Sequence, residues 1–199
     1  DREDVFDGIS YQKGGRILHM LRKYTGDEAF FASLKLYLNT NKFGTVEADQ
    51  LRLAFEEVTG EDLNWFFQQW YFSGGRPTLA VRYRWDEAAK RATVSLEQQQ
   101  DFSKNPLYKL PLDVDVYHDG TKERYRIVMD SVRQEFSFPV PSRPDLVNVD
   151  AEKMLLCKKN DSKSPDEFFF QFYHAPLYVD RFEALTALGK EYHTGRSEE

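Results

Sequence analysis

The sequence predicts an α+β chain: an N-terminal helical subdomain, then a small antiparallel β-sandwich, then a C-terminal helical segment. Three observations carry this. Apolar residues recur at the helical period as far as Ser73-Gly74-Gly75. After Pro77 the period changes from 3.6 to 2, with short runs separated by turn residues. Beyond the polar stretch 158–165 the helical period returns. The expected domains are therefore 1–76 (helical), 77–158 (sandwich) and 159–199 (a linker and the start of a further helical domain).

In the first helix Gly14, Ile17, Leu18, Leu21 and Tyr24 share a face, and Gly26 stops it. Asp27 is the expected cap of the second, whose apolar face reads Phe30, Phe31, Leu34, Tyr37 and Leu38. A third carries Leu51, Ala54, Phe55 and Val58, with Gly60 after it. Asp62 caps a fourth with Leu63, Phe66, Phe67 and Trp70. Every one of these aromatics sits at core spacing, so they read as a helical core.

Leu79, Val81, Tyr83 and Trp85 alternate with Ala80, Arg82 and Arg84, which predicts the first strand. Strands follow at 93–96, 110–116, 125–129, 136–140, 145–150 and 153–157, with Asp119-Gly120 as a hairpin turn that requires positive φ. The charged alternate positions, such as Asp113 and Asp115, predict a sheet with one wet face. His118 beside the turn reads as a solvated residue, and Cys157 as a strand residue. Residues 158–165 read as a linker. Asp166 is the expected cap of a helix through Phe168, Phe169, Phe172 and Tyr173, which Pro176 interrupts. A last segment puts Tyr178, Phe182, Leu185 and Leu188 on one side, and frays from Gly189 through 194–199. That stripe is expected to pack on the preceding parts or to open a further helical domain.

Hydrophobic residues at 41% and charged residues at 30% describe a globular chain. A net charge of −6 argues against nucleic acid or an anionic membrane as partner, because phosphate binding needs a basic surface. One cysteine rules out an intrachain disulfide and permits a reducing compartment. No apolar run approaches the roughly 18 residues of a membrane span. The start at Asp1, with neither methionine nor leader pattern, predicts a piece of a longer protein.

Chemistry concentrates in residues 6–21, which read as a loop that becomes a helix. Gly14 and Gly15 stand together inside it. A helical glycine costs roughly 1 kcal/mol against alanine, so a pair calls for a reason, and close approach of a backbone or ligand is the usual one. Tyr11 lies one turn earlier, where its hydroxyl could reach the space the glycines leave. On spacing alone, an ordinary core tyrosine beside a helix–helix contact is the simpler reading.

The pattern Phe-Asp-x-Ile-Ser-Tyr-x-Lys-Gly-x-x-x-Leu-x-Met-Leu, running from Phe6 to Leu21, resembles a segment of the zinc aminopeptidases of the aminopeptidase N family. Two further landmarks follow in the family order. Trp70-Tyr71-x-Ser73-Gly74-x-x-Pro77 resembles the junction between catalytic domain and β-sandwich. Gln171-x-Tyr173 through Arg181-x-x-Ala184-Leu185 resembles the opening of the C-terminal helical domain. The resemblance implies a parent enzyme that removes N-terminal residues from peptides by zinc-activated water. Tyr11 falls on the family's catalytic tyrosine, which donates to the oxyanion of the tetrahedral intermediate. Gly14 and Gly15 would let the helix approach the active-site floor; Gly15 replaces what is more often alanine. Lys13 and Arg16 read as structural ion-pair partners.

The zinc itself needs a His-Glu-x-x-His helix, two histidines one turn apart with a glutamate for the water. None of His19, His118, His174 and His193 begins that pattern, and the Gly-x-Met-Glu-Asn segment of the family is also missing. No metal ligand is therefore expected in this chain, zinc is expected in the parent with ligands upstream, and the chain alone is expected to be inactive. The expected partner is a peptide substrate. Ser10 lacks the Gly-x-Ser-x-Gly elbow, and Cys157 sits in an apolar run without activating neighbours. Two alternatives stay open: a non-catalytic superfamily member used for binding or scaffolding, and an independent sandwich that binds carbohydrate or protein.

Overall fold

A computed structural model describes residues 8–195, with side chains described from 11 to 190. The chain forms two compact units. One runs to Pro77 and adds Gln100–Lys109 and Met154–Cys157; the other holds Thr78–Gln99, Leu110–Lys153 and the chain from Lys158 on.

The first unit is helical. Helix α1 (Gly8–Thr25) buries Ile17, Met20 and Leu21 and ends at Gly26, whose φ of 82° only glycine adopts at no cost. Helix α2 is Asp27–Asn41. Asp27 does not cap it. Gly26 occupies the cap position, and the Asp27 carboxylate instead takes Nε and Nη2 of Arg22 at 2.8 and 2.7 Å. The expected face is also rotated: Phe30 and Ser33 are buried, while Phe31 and Leu38 are exposed. Helix α3 (Ala48–Thr59) opens with Gln50 accepting from the Glu47 N–H at 2.8 Å, buries Ala54 and Phe55, and closes on Gly60 in the left-handed region. Helix α4 (Asn64–Trp70) begins where Asp62 accepts from the Asn64 N–H at 2.8 Å. It buries Phe66, Phe67 and Trp70.

The segment Gln100–Lys109 completes this core. Tyr108, fully buried, meets Trp70 at 5.0 Å between ring centres and donates its hydroxyl to the Gly74 carbonyl at 3.2 Å. The Gln69 amide satisfies both backbone groups of Lys109, at 2.9 and 3.0 Å.

The second unit has seven strands: β1 (Thr78–Asp86), β2 (Arg91–Gln98), β3 (Leu110–His118), β4 (Thr121–Met129), β5 (Arg133–Pro139), β6 (Leu146–Val149) and β7 (Lys158–Asp161). They make a four-stranded sheet in the order β5-β2-β1-β7 and a three-stranded sheet in the order β4-β3-β6. Their inner faces meet where Tyr125 on β4 lies 4.6 Å from Phe138 on β5. Asp119 and Gly120 turn the β3–β4 hairpin with φ of 47° and 72°, as their sequence predicts.

Three expectations fail here. The last strand is not 153–157 but β7, inside the expected linker, and it pairs parallel to β1. Cys157 lies in the bend before it. The alternate carboxylates of β3 are not wet: Asp113 and Asp115 are buried, covered by arginines across the ladder. Arg126 holds Asp113 at 2.9 Å, and Arg124 holds Asp115 through two bonds at 2.6 and 2.8 Å. Burial of a charge costs heavily unless it is paired, so this strand could carry aspartate only opposite arginine. His118 is also buried, between Thr121 and Glu123, because the turn folds β4 back over it.

Helix α5 (Pro165–His174) is capped by Ser164, not Asp166. Ser164 Oγ accepts from the Glu167 N–H at 3.3 Å, while the Glu167 carboxylate accepts from the Ser164 N–H at 2.7 Å. Helix α6 is Tyr178–Gly195, so Gly189 lies inside a helix and not in a frayed end. Much of the expected apolar face of this hairpin points outward, although Phe168 is buried. Phe169, Tyr173, Tyr178, Phe182 and Leu185 are exposed, whereas Gln171 and Asp180 are fully buried. Residues 196–199, part of the expected frayed tail, lie outside the described residues.

Candidate active-site segment

Helix α1 is anchored along one side. Ile17, Met20 and Leu21 are buried, and the Met20 sulfur accepts from the Leu156 N–H at 3.4 Å. Lys13 reaches the chain beyond α4: its Nζ donates to the Ser73 carbonyl at 3.3 Å. The expected acidic partner is thus replaced by a backbone oxygen, a bond between half-buried groups that ties the start of α1 to the Ser73-Gly74 segment.

Tyr11 is 64% exposed, so it is not a core residue of this chain. Gly14 and Gly15 follow three and four positions later, which places them on the same helix face. A Cβ built on either would meet no atom within 4 Å. Among the described residues the pair makes no close approach; it leaves bare backbone beside an exposed phenol. Phe6 and Asp7 of the motif lie outside the described residues, as do the side chains of Ile9 and Ser10.

His19 is half-buried on α1, His118 is buried in the second unit, and the His174 ring stacks on Phe170 at 4.2 Å. The side chain of His193 lies outside the described residues. Among the described residues no group of three His, Cys, Asp or Glu could hold a metal ion, so the residues present do not fit a zinc centre. Nor is any described helix long and apolar enough to cross a membrane.

The geometry defines a class: a helical unit presenting a tyrosine on an open helix face, joined in sequence to a two-sheet unit with a terminal helical hairpin. Residues 1–70 match the profile of the Peptidase family M1 domain. The chain is 32% identical over 127 residues to "Probable aminopeptidase 2" of Sulfurisphaera tokodaii, covering 62% of this chain and 15% of that protein. It is 36% identical over 115 residues to "Aminopeptidase N" of Lactococcus lactis subsp. cremoris, covering 55% of this chain and 13% of that protein. Aminopeptidase A of Legionella pneumophila, solved in complex with aspartic acid, superposes with a TM-score of 0.81 over 96% of this chain and 23% of that one, at 18% identity. The likeness to the M1 peptidase domain is thus carried by residues 1–70, and the chain spans about a sixth of the length of the curated relatives it matches.

The buried faces of α5 and α6 are the main feature that pattern reading missed. The signal was present as Lys153, Lys159 and Lys163, six and four residues apart, with Asp161, Asp180 and Glu183. In a linear sequence those residues read as solvated.

Proposed function

We propose that this chain is part of an aminopeptidase that hydrolyses N-terminal residues from peptides, and that Tyr11 donates a hydrogen bond to the oxyanion of the tetrahedral intermediate. The observation that carries the reading is the exposure of Tyr11 on an anchored helix, at the position where the resemblance of the 6–21 motif implies the family's catalytic tyrosine. A phenol keeps its proton at neutral pH and can donate it to a developing alkoxide. Such a donor acts because it is fixed before charge develops. Burial of Ile17, Met20 and Leu21 and the Lys13–Ser73 bond supply that fixation. The open backbone at Gly14 and Gly15 leaves room for substrate, or for further polypeptide, beside the hydroxyl.

Zinc belongs to the same reading as the cofactor of the longer protein, with ligands outside the described residues. So does the division into 1–76, 77–158 and 159–199, the last opening a further helical domain that would cover the outward aromatic face of α5 and α6.

In the full-length protein, Tyr11→Phe is expected to lower turnover by about 10²–10³ while KM changes little, since the bond strengthens only in the transition state. Wild-type turnover in that variant, with unaltered circular dichroism, would remove Tyr11 from the mechanism. The 199-residue chain by itself is expected to lose added zinc on dialysis and to leave aminoacyl anilides intact. Stoichiometric retained zinc, read by atomic absorption, would place a metal site in this chain.

A further inference from the structure

The helical hairpin α5–α6 is packed inside out. Its buried apolar residues are Phe168, Ala175 and Ala184, while Phe169, Tyr173, Tyr178 and Phe182 face outward. What it buries instead is charge. Lys153, 3% exposed, lies 3.0 Å from Asp180 and 2.9 Å from Glu183, both on α6. Asn148 on β6 links the pair, accepting from Lys153 and donating to Asp180, both at 2.9 Å. Lys159 on β7 reaches Glu183 at 3.1 Å and Asp161 at 3.6 Å. Lys163 bonds Asp161 at 2.9 Å and the Gln171 amide oxygen of α5 at 2.8 Å. The Gln171 nitrogen donates to the Asp180 carbonyl at 2.9 Å, which ties α5 to α6. Tyr83 on β1 closes the group by donating to Asp161 at 2.8 Å.

Three lysines thus face three carboxylates within bonding reach, and buried Asp150 adds its negative charge near Lys159. A cleft of about 730 Å³ opens beside them, lined by Lys159, Asp161, Lys163, Glu183, Phe168 and Phe182. Lys159, Asp161, Lys163 and Glu183 are already paired with one another or with Lys153, and Arg82 at the cleft edge pairs with Glu97, so these groups are committed within the protein. The cluster acts on the hairpin. Hydrophobic contact is non-directional, and two small alanines with one phenylalanine could slide against a sheet with little penalty. Charge-assisted hydrogen bonds demand both distance and angle. A slid or rotated hairpin would leave Asp180 or Lys153 buried without its partner, which is severely unfavourable.

We propose that the Lys153–Asp180–Glu183–Lys159–Asp161–Lys163 cluster is a polar pin that holds α5–α6 on the sandwich in one orientation, and that it determines orientation more than overall stability. Lys153→Met leaves Asp180 without its cation. Hydrogen exchange followed by NMR is then expected to show α5–α6 amides exchanging at least about 100-fold faster, with β1, β2 and β5 amides held within about threefold. Lys159→Met, a milder change at a partly exposed partner, is expected to give about a tenfold acceleration confined to the hairpin. Lys153→Met/Asp180→Leu removes both charges and should restore protection to within about tenfold, but with split or broadened hairpin resonances. Unchanged hairpin exchange in both single variants, equal acceleration throughout the sheet, or one sharp set of hairpin resonances in the paired variant would each overturn the proposal.

Discussion

Helix α4 buries Phe66, Phe67 and Trp70 against Tyr108, whereas α5 exposes Phe169 and Tyr173 and buries Gln171. The two helices carry similar aromatic stripes, and neither differs much in propensity. The difference lies in what each meets. Around Phe66, Phe67 and Trp70 the neighbours are rings, so that face goes inward and gains the transfer free energy of its area. Gln69 beside them is satisfied by the Lys109 backbone. Under α5 and α6 the neighbours are Asn148, Lys153 and Lys163, and those groups need polar partners more than α6 needs to hide Phe182. Periodicity reports which residues share a face. Which face turns inward depends on the partner.

The contrast can be tested from its strongest end. Phe67→Ala removes a fully buried ring stacked on Tyr71 at 4.9 Å and is expected to lower unfolding free energy by about 3–5 kcal/mol. Urea denaturation gives the number; a loss near zero would mean that the aromatic core of the first unit contributes no more than the outward rings of the second.

Acid–base linkage gives the next effect. Burial pulls the Lys163 ammonium down to about 8, although Asp161 opposes the shift. An unfolded lysine titrates near 10.4. Between those values the unfolded chain holds a proton that the folded chain has released, so stability rises with pH in that window. Lys159 works the other way: burial lowers it, but Asp161 and Glu183 raise it further, and its contribution is lost only as pH rises past the unfolded lysine value. Asp161 and Glu183, pushed up by burial but held low by the lysines, lose theirs only in acid. Taken as the difference between the native chain and Lys163→Met, the Lys163 contribution is therefore expected to rise by about 1–3 kcal/mol from pH 8 to pH 10. It rises against an opposing loss from tyrosines such as Tyr83 and Tyr117, which burial holds above the unfolded value. Identical slopes in the native chain and Lys163→Met would mean that Lys163 keeps its proton throughout.

The smallest effect belongs to the outward face. Phe182→Ser, at a ring 57% exposed, is expected to change stability of this chain by less than about 0.5 kcal/mol. A larger loss would show that the hairpin draws stability from its aromatic side after all.

Much of the architecture was legible. The four N-terminal helices, the switch of period at Pro77 and the Asp119-Gly120 turn could be read because local chemistry and tertiary setting agree there. The failures share one cause. Asp113 and Asp115 look like wet positions until Arg124 and Arg126 are brought across the ladder, and β7 looks like a linker until Lys159 finds Glu183. A charge that is buried because its partner lies far along the chain has no signature in a local window. The Tyr11 segment was legible through its motif, and its exposure needed coordinates. Lys13 illustrates the limit: its partner is a carbonyl sixty residues away, and backbone oxygens carry no sequence code.

Tyr108 has a consequence for anyone cutting this polypeptide. The helical unit draws on Gln100–Lys109 and Met154–Cys157, two inserts separated from it by strands. Ending a clone at Pro77 would delete the ring against Trp70, the hydroxyl on Gly74 and the backbone that occupies Gln69. Such a truncate would expose an indole and strand a buried amide at one stroke. Loop excision or a permuted gene is the safer route to a stand-alone helical half.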